Sequence, residues 1–223
     1  MKTLNKAISA LKEGSFVLIH DSDGRENETD LVVAAEHITP SHIARMRNDG
    51  GGLICVSVGK MLAQKLGLFF LQELYAKASK DFPLLAELKA DDIPYDEKSS
   101  FSLAINHRKT FTGITDEDRS LTIRELAYIA AAGPSPETFG LNFRTPGHVH
   151  LLISSGLDRR EGHTELSEAL LTLAGLTPLA VICEMMDDVT HKALSQEKVR
   201  AYAKENGYMV LEADDIKTAW RSR

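Results

Sequence analysis

Ten consecutive residues, Asp21-Ser22-Asp23-Gly24-Arg25-Glu26-Asn27-Glu28-Thr29-Asp30, carry five carboxylates and one arginine. Apolar runs flank them on both sides, Ser15–His20 and Leu31–Ala35, and each reads as a strand. Any fold of this chain must therefore bring two buried strands to a place where that charge meets water or a cation, because carboxylates at this density repel one another. Three readings compete. The first is a solvated acidic turn. A calcium loop needs an acid or amide at its fifth position and glycine at its sixth; those places hold Arg25 and Glu26, so this reading fails. The third is a catalytic divalent-metal site, with oxygen ligands, spare carboxylates for proton transfer and an arginine to hold an anion. The loop by itself does not choose between the first and the third.

The rest of the chain alternates strand-like and helical patterns. Leu4, Ala7, Ile8 and Leu11 fall at helical spacing and Gly14 ends them. Thr39-Pro40 starts a helix that closes at Gly50-Gly51-Gly52, and Leu53–Val58 is a strand with Cys55 and Ser57 on one face. Met61–Leu66 and Leu71–Lys77 read as short helices and Ala90–Ser100 as a mobile polar loop. Phe101–Ile105 is a strand, Phe111–Thr115 a turn, Ser120–Ala132 a helix and Gly133–Gly140 a proline-containing loop. Val149–Ser154 is a strand, Thr164–Ala174 an amphipathic helix closed by Gly175, and Leu179–Met185 a buried strand bearing Glu184. Ser195–Asn206, Tyr208–Leu211 and Asp214–Arg221 follow as helix, strand and helix. The pattern predicts an α+β fold: a single mixed α/β domain over residues 1–223, with a mixed sheet flanked by helices.

Composition excludes several classes. A hydrophobic fraction of 43% supports a core, and a net charge of −6 opposes a nucleic-acid or anionic-membrane partner. No apolar run reaches membrane-spanning length and the first residues have no signal-peptide core, so a cytoplasmic protein is expected. Cys55 and Cys183 sit in apolar runs and read as core thiols rather than a disulfide.

A second cluster is Arg160-Glu161-Gly162-His163-Thr164, at the start of a predicted helix. Free backbone N–H groups there, beside Arg160, suit a phosphate, although capping by Thr164 beside surface arginines is the plainer account. His163 with a carboxylate of the acidic loop would make a mixed N/O metal site. His148 follows Pro-Gly at a strand entrance. Glu184 either ends its strand in solvent or is partly buried for acid–base work. For Cys55 and Thr112 the default roles are core and turn.

DSDGRENETD with LVVAAEHIT, GGLICV, FTGITDEDRSLTIREL, RTPGHVHLL and RREGHTELSEALLTLAGLTPLAVICEM run in that order from about residue 15 to residue 188. This set resembles the 3,4-dihydroxy-2-butanone 4-phosphate synthases of riboflavin biosynthesis. Thr29 stands where the family usually has glycine, and Thr145 separates Arg144 from Pro146-Gly147-His148. The resemblance implies a lyase that converts D-ribulose 5-phosphate to 3,4-dihydroxy-2-butanone 4-phosphate and formate, in a monofunctional form. It implies that Glu26 and His163 bind magnesium or manganese and that Arg25, Asp30, Arg160 and Thr164 hold the substrate. His148 and Glu184 would be essential to catalysis. Asp21, Asp23, Glu28, Cys55 and Thr112 would line the pocket, with Glu28 or Asp21 as the first base. The family's homodimer would place the site at a subunit interface.

Overall fold

The computed structural model describes residues 2–223. Helix α1 (Lys2–Lys12) leads into β1 (Val17–His20), and β2 (Thr29–Ala34) returns beyond the acidic loop. Thr39 caps α2 (Pro40–Arg45) through the amide of His42, and a wider turn over Met46–Gly50 carries the chain to β3 (Cys55–Val58). Short helices α3 (Lys60–Leu66), α4 (Leu71–Ala78) and α5 (Leu84–Glu87) precede β4 (Phe101–His107). Then come α6 (Asp116–Ala132), α7 (Pro136–Asn142), β5 (Phe143–Ile153), α8 (His163–Ala174) and β6 (Leu179–Glu184). A two-stranded ribbon of β7 (Met186–Asp187) and β8 (Lys192–Ala193), then α9 (Gln196–Asn206), β9 (Met209–Glu212) and α10 (Ala213–Arg221), complete it.

Seven strands form one mixed sheet in the order β4-β5-β3-β6-β2-β1-β9. β3 runs parallel to β5 and β1 to β9; the other neighbours are antiparallel. Side chains alternate across a strand, so β6 sends Leu179, Val181 and Cys183 to one core and Ala180 and Ile182 to the other. The first core packs beneath α2, α3, α6 and α9, and the second beneath α1, α8 and α10. Burial on both faces explains why the central strands read as unbroken apolar runs rather than alternating ones. The expected mixed sheet flanked by helices is what forms.

Three expected boundaries are corrected. Gly133–Gly140, read as a loop because of its prolines, contains the start of α7: Ser135 accepts from the Thr138 amide and Pro136 occupies the first turn, where its missing N–H costs nothing. The helix expected from Ser120 starts at Asp116. Thr115 caps it through Asp118, and three acids in its first turn match the helix dipole. The strand expected from Val149 starts at Phe143, because pairing with β4 continues past a bulge.

Candidate active site

The two-residue period that builds the cores also builds the site. Val32 and Ile182 face α8, so Asp30 and Glu184, two residues along their strands, face it too, and the register pairs Asp30 directly with Glu184. Cys55 pairs with Ile182 on one side and with His150 on the other. α8 enters over this row. The Ser57 hydroxyl donates to the Thr164 carbonyl at 2.8 Å, which pins the start of the helix to the sheet. Glu184 is held as firmly: its Oε2 accepts from the Leu53 amide at 2.8 Å. A Cβ at Gly52 would stand 2.4 Å from that same oxygen, so only glycine lets the backbone pass.

Asp21 organises the acidic loop from within. It is buried, and its two oxygens accept from the amides of Glu26 at 2.9 Å and Glu28 at 3.1 Å. Both oxygens are thereby occupied with holding the loop, which disfavours Asp21 as a base. The fold of the loop turns Glu26 inward, and Glu26 Oε2 lies 3.3 Å from His163 Nδ1. Adjacent ligands of a magnesium ion, each about 2.1 Å from it, are separated by about 3 Å. Ligand atoms of Asp21, Glu26 and His163 all lie within 4.8 Å of one another. On the other side of the ring, His163 Nε2 and Asp30 Oδ1 are 3.7 Å apart, both buried and both without a hydrogen-bond partner. Orphaned buried polar atoms are costly and call for an absent partner. An ion on Glu26 Oε2 and His163 Nδ1 does not reach that second pair, so the fit rests on the donor set: carboxylate oxygen and imidazole nitrogen gathered within 4.8 Å suit a hard divalent cation.

Charge at the site agrees with that fit. Burial would raise the Glu26 carboxyl, but the His163 hydrogen bond and the charge of Arg25 outweigh it and hold it at about 2. Burial pushes Asp30 up to about 8; His163 opposes this, while Glu184, Glu26 and Glu28 add to it. For His163, burial lowers and the charges of Asp30 and its other acidic neighbours raise, and the net is upward to about 9. Negative charge is in excess and the site holds protons to balance it. Glu28 is also raised, by burial and then by the charges of Glu26 and Glu184.

Beside this centre, Arg160 Nη1 bonds Glu165 Oε2 at 2.6 Å, and Glu165 is fully buried. Gly162 caps α8 with no side-chain hydrogen bond, leaving the first amides of the helix to an anion, and a Cβ there would meet the guanidinium groups of both Arg160 and Arg25. Ala90–Ser100 has no regular structure, as expected, but it is clamped over the site by Asp96. Asp96 Oδ2 lies 2.5 Å from Arg25 Nη2 and 2.6 Å from Arg160 Nη2. A carboxylate thus occupies the arginine pair that a phosphate would use, and an entering phosphate competes with it. Asp96→Asn is expected to weaken the clamp and lower the KM for a phosphorylated substrate several-fold, seen in initial-rate kinetics; an unchanged or higher KM would show that the carboxylate does not compete.

Arg25, Glu26, Asp30, Cys55, Arg160, His163, Thr164 and Glu184 converge around the start of α8, where part of this set lines a cavity of about 150 Å³. Glu28 adjoins the centre through its charge contacts with Glu26, Glu184 and His163. Cys55 is buried, and burial, with the charges of Glu184 and Asp30, pushes its thiol far up; it stays protonated and is no nucleophile. Asp23 is not brought in: its side chain is 90% exposed. Thr112 and His148 form a separate group, with Thr112 bonded to Asp118 and His148 to Asn106. Continuing the β3–β5 register sets His148 beside Leu53, two strand spacings from Glu184, or about 10 Å. Sequence reasoning passed over Asp96, Glu165 and Asn106. Only Glu165 left a signal, since an acid four residues before Ala169 falls on the buried stripe of α8.

A sequence profile described as 3,4-dihydroxy-2-butanone 4-phosphate synthase matches residues 5–219. The chain is 51% identical over 215 residues to the 3,4-dihydroxy-2-butanone 4-phosphate synthase of Methanothermobacter thermautotrophicus, covering 96% of this chain and 93% of the relative. It is 47% identical over 225 residues to that of Methanosarcina mazei, covering 98% and 91%. A crystal structure of a 3,4-dihydroxy-2-butanone 4-phosphate synthase in complex with two magnesium ions superposes with a TM-score of 0.76 at 29% identity, over 96% of this chain and 94% of that one.

Proposed function

The chain belongs to the 3,4-dihydroxy-2-butanone 4-phosphate synthase family, and from that premise we propose how its residues carry the family's reaction. The enzyme converts D-ribulose 5-phosphate to L-3,4-dihydroxy-2-butanone 4-phosphate and formate, a carbon–carbon lyase step of riboflavin biosynthesis. The observation that carries the assignment of roles is the Glu26–His163 pair, with its orphaned neighbours, lying at the start of α8 beside two arginines.

Glu26 and His163 hold a divalent cation, magnesium or manganese, and the solved relative with two magnesium ions supports this choice. When bound, the ion supplies Lewis-acid polarisation of substrate oxygens. The substrate's phosphate lies on the first amides of α8 and on Arg160, where helix dipole and guanidinium act together. Arg25 and Asp30 contact the sugar oxygens. Loss of the proton beside the carbonyl falls to Glu28, whose carboxyl is raised by burial and by the charges of Glu26 and Glu184. Glu184, fixed by the Leu53 amide, moves protons in the later steps.

The active form is a homodimer with the site at its interface. Phe111 is 94% exposed and Ile114 half exposed, on either side of Thr112, whose carbonyl meets the Asn106 side chain that holds His148. An apolar surface at that place supports a second copy covering it.

The reaction is tested by incubating the protein with D-ribulose 5-phosphate and magnesium. One formate per sugar phosphate consumed is expected, abolished by excess chelator and restored by magnesium or manganese. Consumption of the sugar phosphate without formate would assign an isomerase or aldolase, and full activity in excess chelator would remove the metal from the mechanism.

A further inference from the structure

Asn106 lies on β4, is buried, and touches both members of the second group. Its Oδ1 accepts from the His148 backbone amide at 2.9 Å. That amide is an obligatory donor, so the orientation of the Asn106 side chain is fixed: the oxygen faces the backbone and the amide nitrogen faces away. Nδ2 then stands 3.1 Å from His148 Nδ1 and 3.5 Å from the Thr112 carbonyl. An amide nitrogen is only a donor. At 3.1 Å a bare Nδ1 accepts from it. A protonated Nδ1 would set N–H against N–H, with no recompense but a 3.3 Å contact to Oδ1, which already serves the shorter backbone bond.

We infer that Asn106 is a positioning residue that holds His148 as the neutral tautomer with its proton on Nε2. His148 is thereby a hydrogen-bond donor to the substrate oxygen on which charge develops, and not a proton acceptor. This rests on His148 meeting substrate in the assembled site. A neutral imidazole presenting N–H needs no proton transfer to do this work, and stabilises developing negative charge from a fixed position. Asn106, which bonds the ring, is uncharged; His150 lies two residues along its own strand, and the carboxylate of Asp118 on α6 holds the turn of Thr112, whose carbonyl meets Asn106 Nδ2.

The tautomer is read directly from long-range proton–nitrogen NMR of imidazole-labelled protein, with the His148 signal assigned by its loss in His148→Ala. In the wild type, Nδ1 is expected to be the unprotonated, pyridine-like nitrogen and Nε2 the protonated one. Asn106→Asp offers a carboxylate that accepts from both the backbone amide and Nδ1–H, so it should reverse the pattern. Turnover should fall roughly 10²-fold, the scale of losing one oriented donor, with KM little changed. A wild-type ring protonated on Nδ1, or a tautomer that does not reverse in Asn106→Asp, overturns the positioning role. A reversed tautomer with unchanged kcat overturns the donor role. Where Asn106→Asp does not fold, the wild-type spectrum still decides the tautomer, and Asn106→Ala should show both forms. Failure of the wild type to release formate would overturn the proposed reaction while leaving the ring assignment to stand on its spectrum.

Discussion

Glu26→Gln and His163→Ala are each expected to abolish formate release, by about 10³-fold or more. The ion proposed for them would supply several kcal/mol of stabilisation to developing charge, and each 1.4 kcal/mol is a factor of ten in rate. Folding should survive both changes. In Glu26→Gln, the backbone amide of residue 26 still bonds Asp21 and keeps the loop. In His163→Ala, the orphaned Nε2 disappears together with its unmet need for a partner, although Asp30 loses the neighbour that drew its proton away. Titration calorimetry with manganese should show loss of the site in both variants while the wild type binds. Binding retained in both would move the ion elsewhere; binding lost with turnover intact would make it structural.

Arg160→Ala is expected to produce two separable losses. The first is in binding: a charge-assisted contact to phosphate contributes about 1.5–3 kcal/mol, so the substrate should bind roughly ten- to a hundredfold more weakly. Arg160→Lys should recover only part, because an ammonium cannot make the planar fork. The second is in stability, because Glu165 is fully buried and its Oε2 is bonded to Arg160 at 2.6 Å. Removing one partner of a buried pair costs about 3–5 kcal/mol by stranding the other. Adding Glu165→Gln should restore much of the melting temperature and none of the phosphate affinity. Equal weakening for ribulose and ribulose 5-phosphate would show that Arg160 does not read the phosphate, and a melting temperature unchanged in Arg160→Ala would show that the pair contributes nothing to the fold.

The two losses arise from different levels of the structure, and the sequence disclosed only one of them. Arg160 before an amphipathic helix was legible as a candidate phosphate contact, since the free amides of a helix start follow from local geometry, with capping beside surface arginines as the plainer alternative. Its partners were not: Asp96 lies 64 residues away in a segment without periodicity, and Glu165 looked like one more charge in a helix. Asn106 gave no sign at all, because its role depends on which strand lies beside it.

The sequence by itself determined most of the elements and their faces, though not α7, whose prolines read as a loop. A period of two put Asp30, Cys55 and Glu184 at fixed positions along β2, β3 and β6, and a period of 3.6 gave α8 its buried stripe. Those periods belong to the backbone and need no distant partner. Tertiary structure decided everything that depends on register and strand order: that Asp30 pairs with Glu184, that α8 starts above that pair, and that Asp96 reaches across 71 residues to Arg25. It also held Thr112 and His148 apart from Glu26 and His163, at the far side of β3. The physical reason is that an apolar period specifies which face is buried but not which strand lies beside it; that choice is made by the packing of both cores at once.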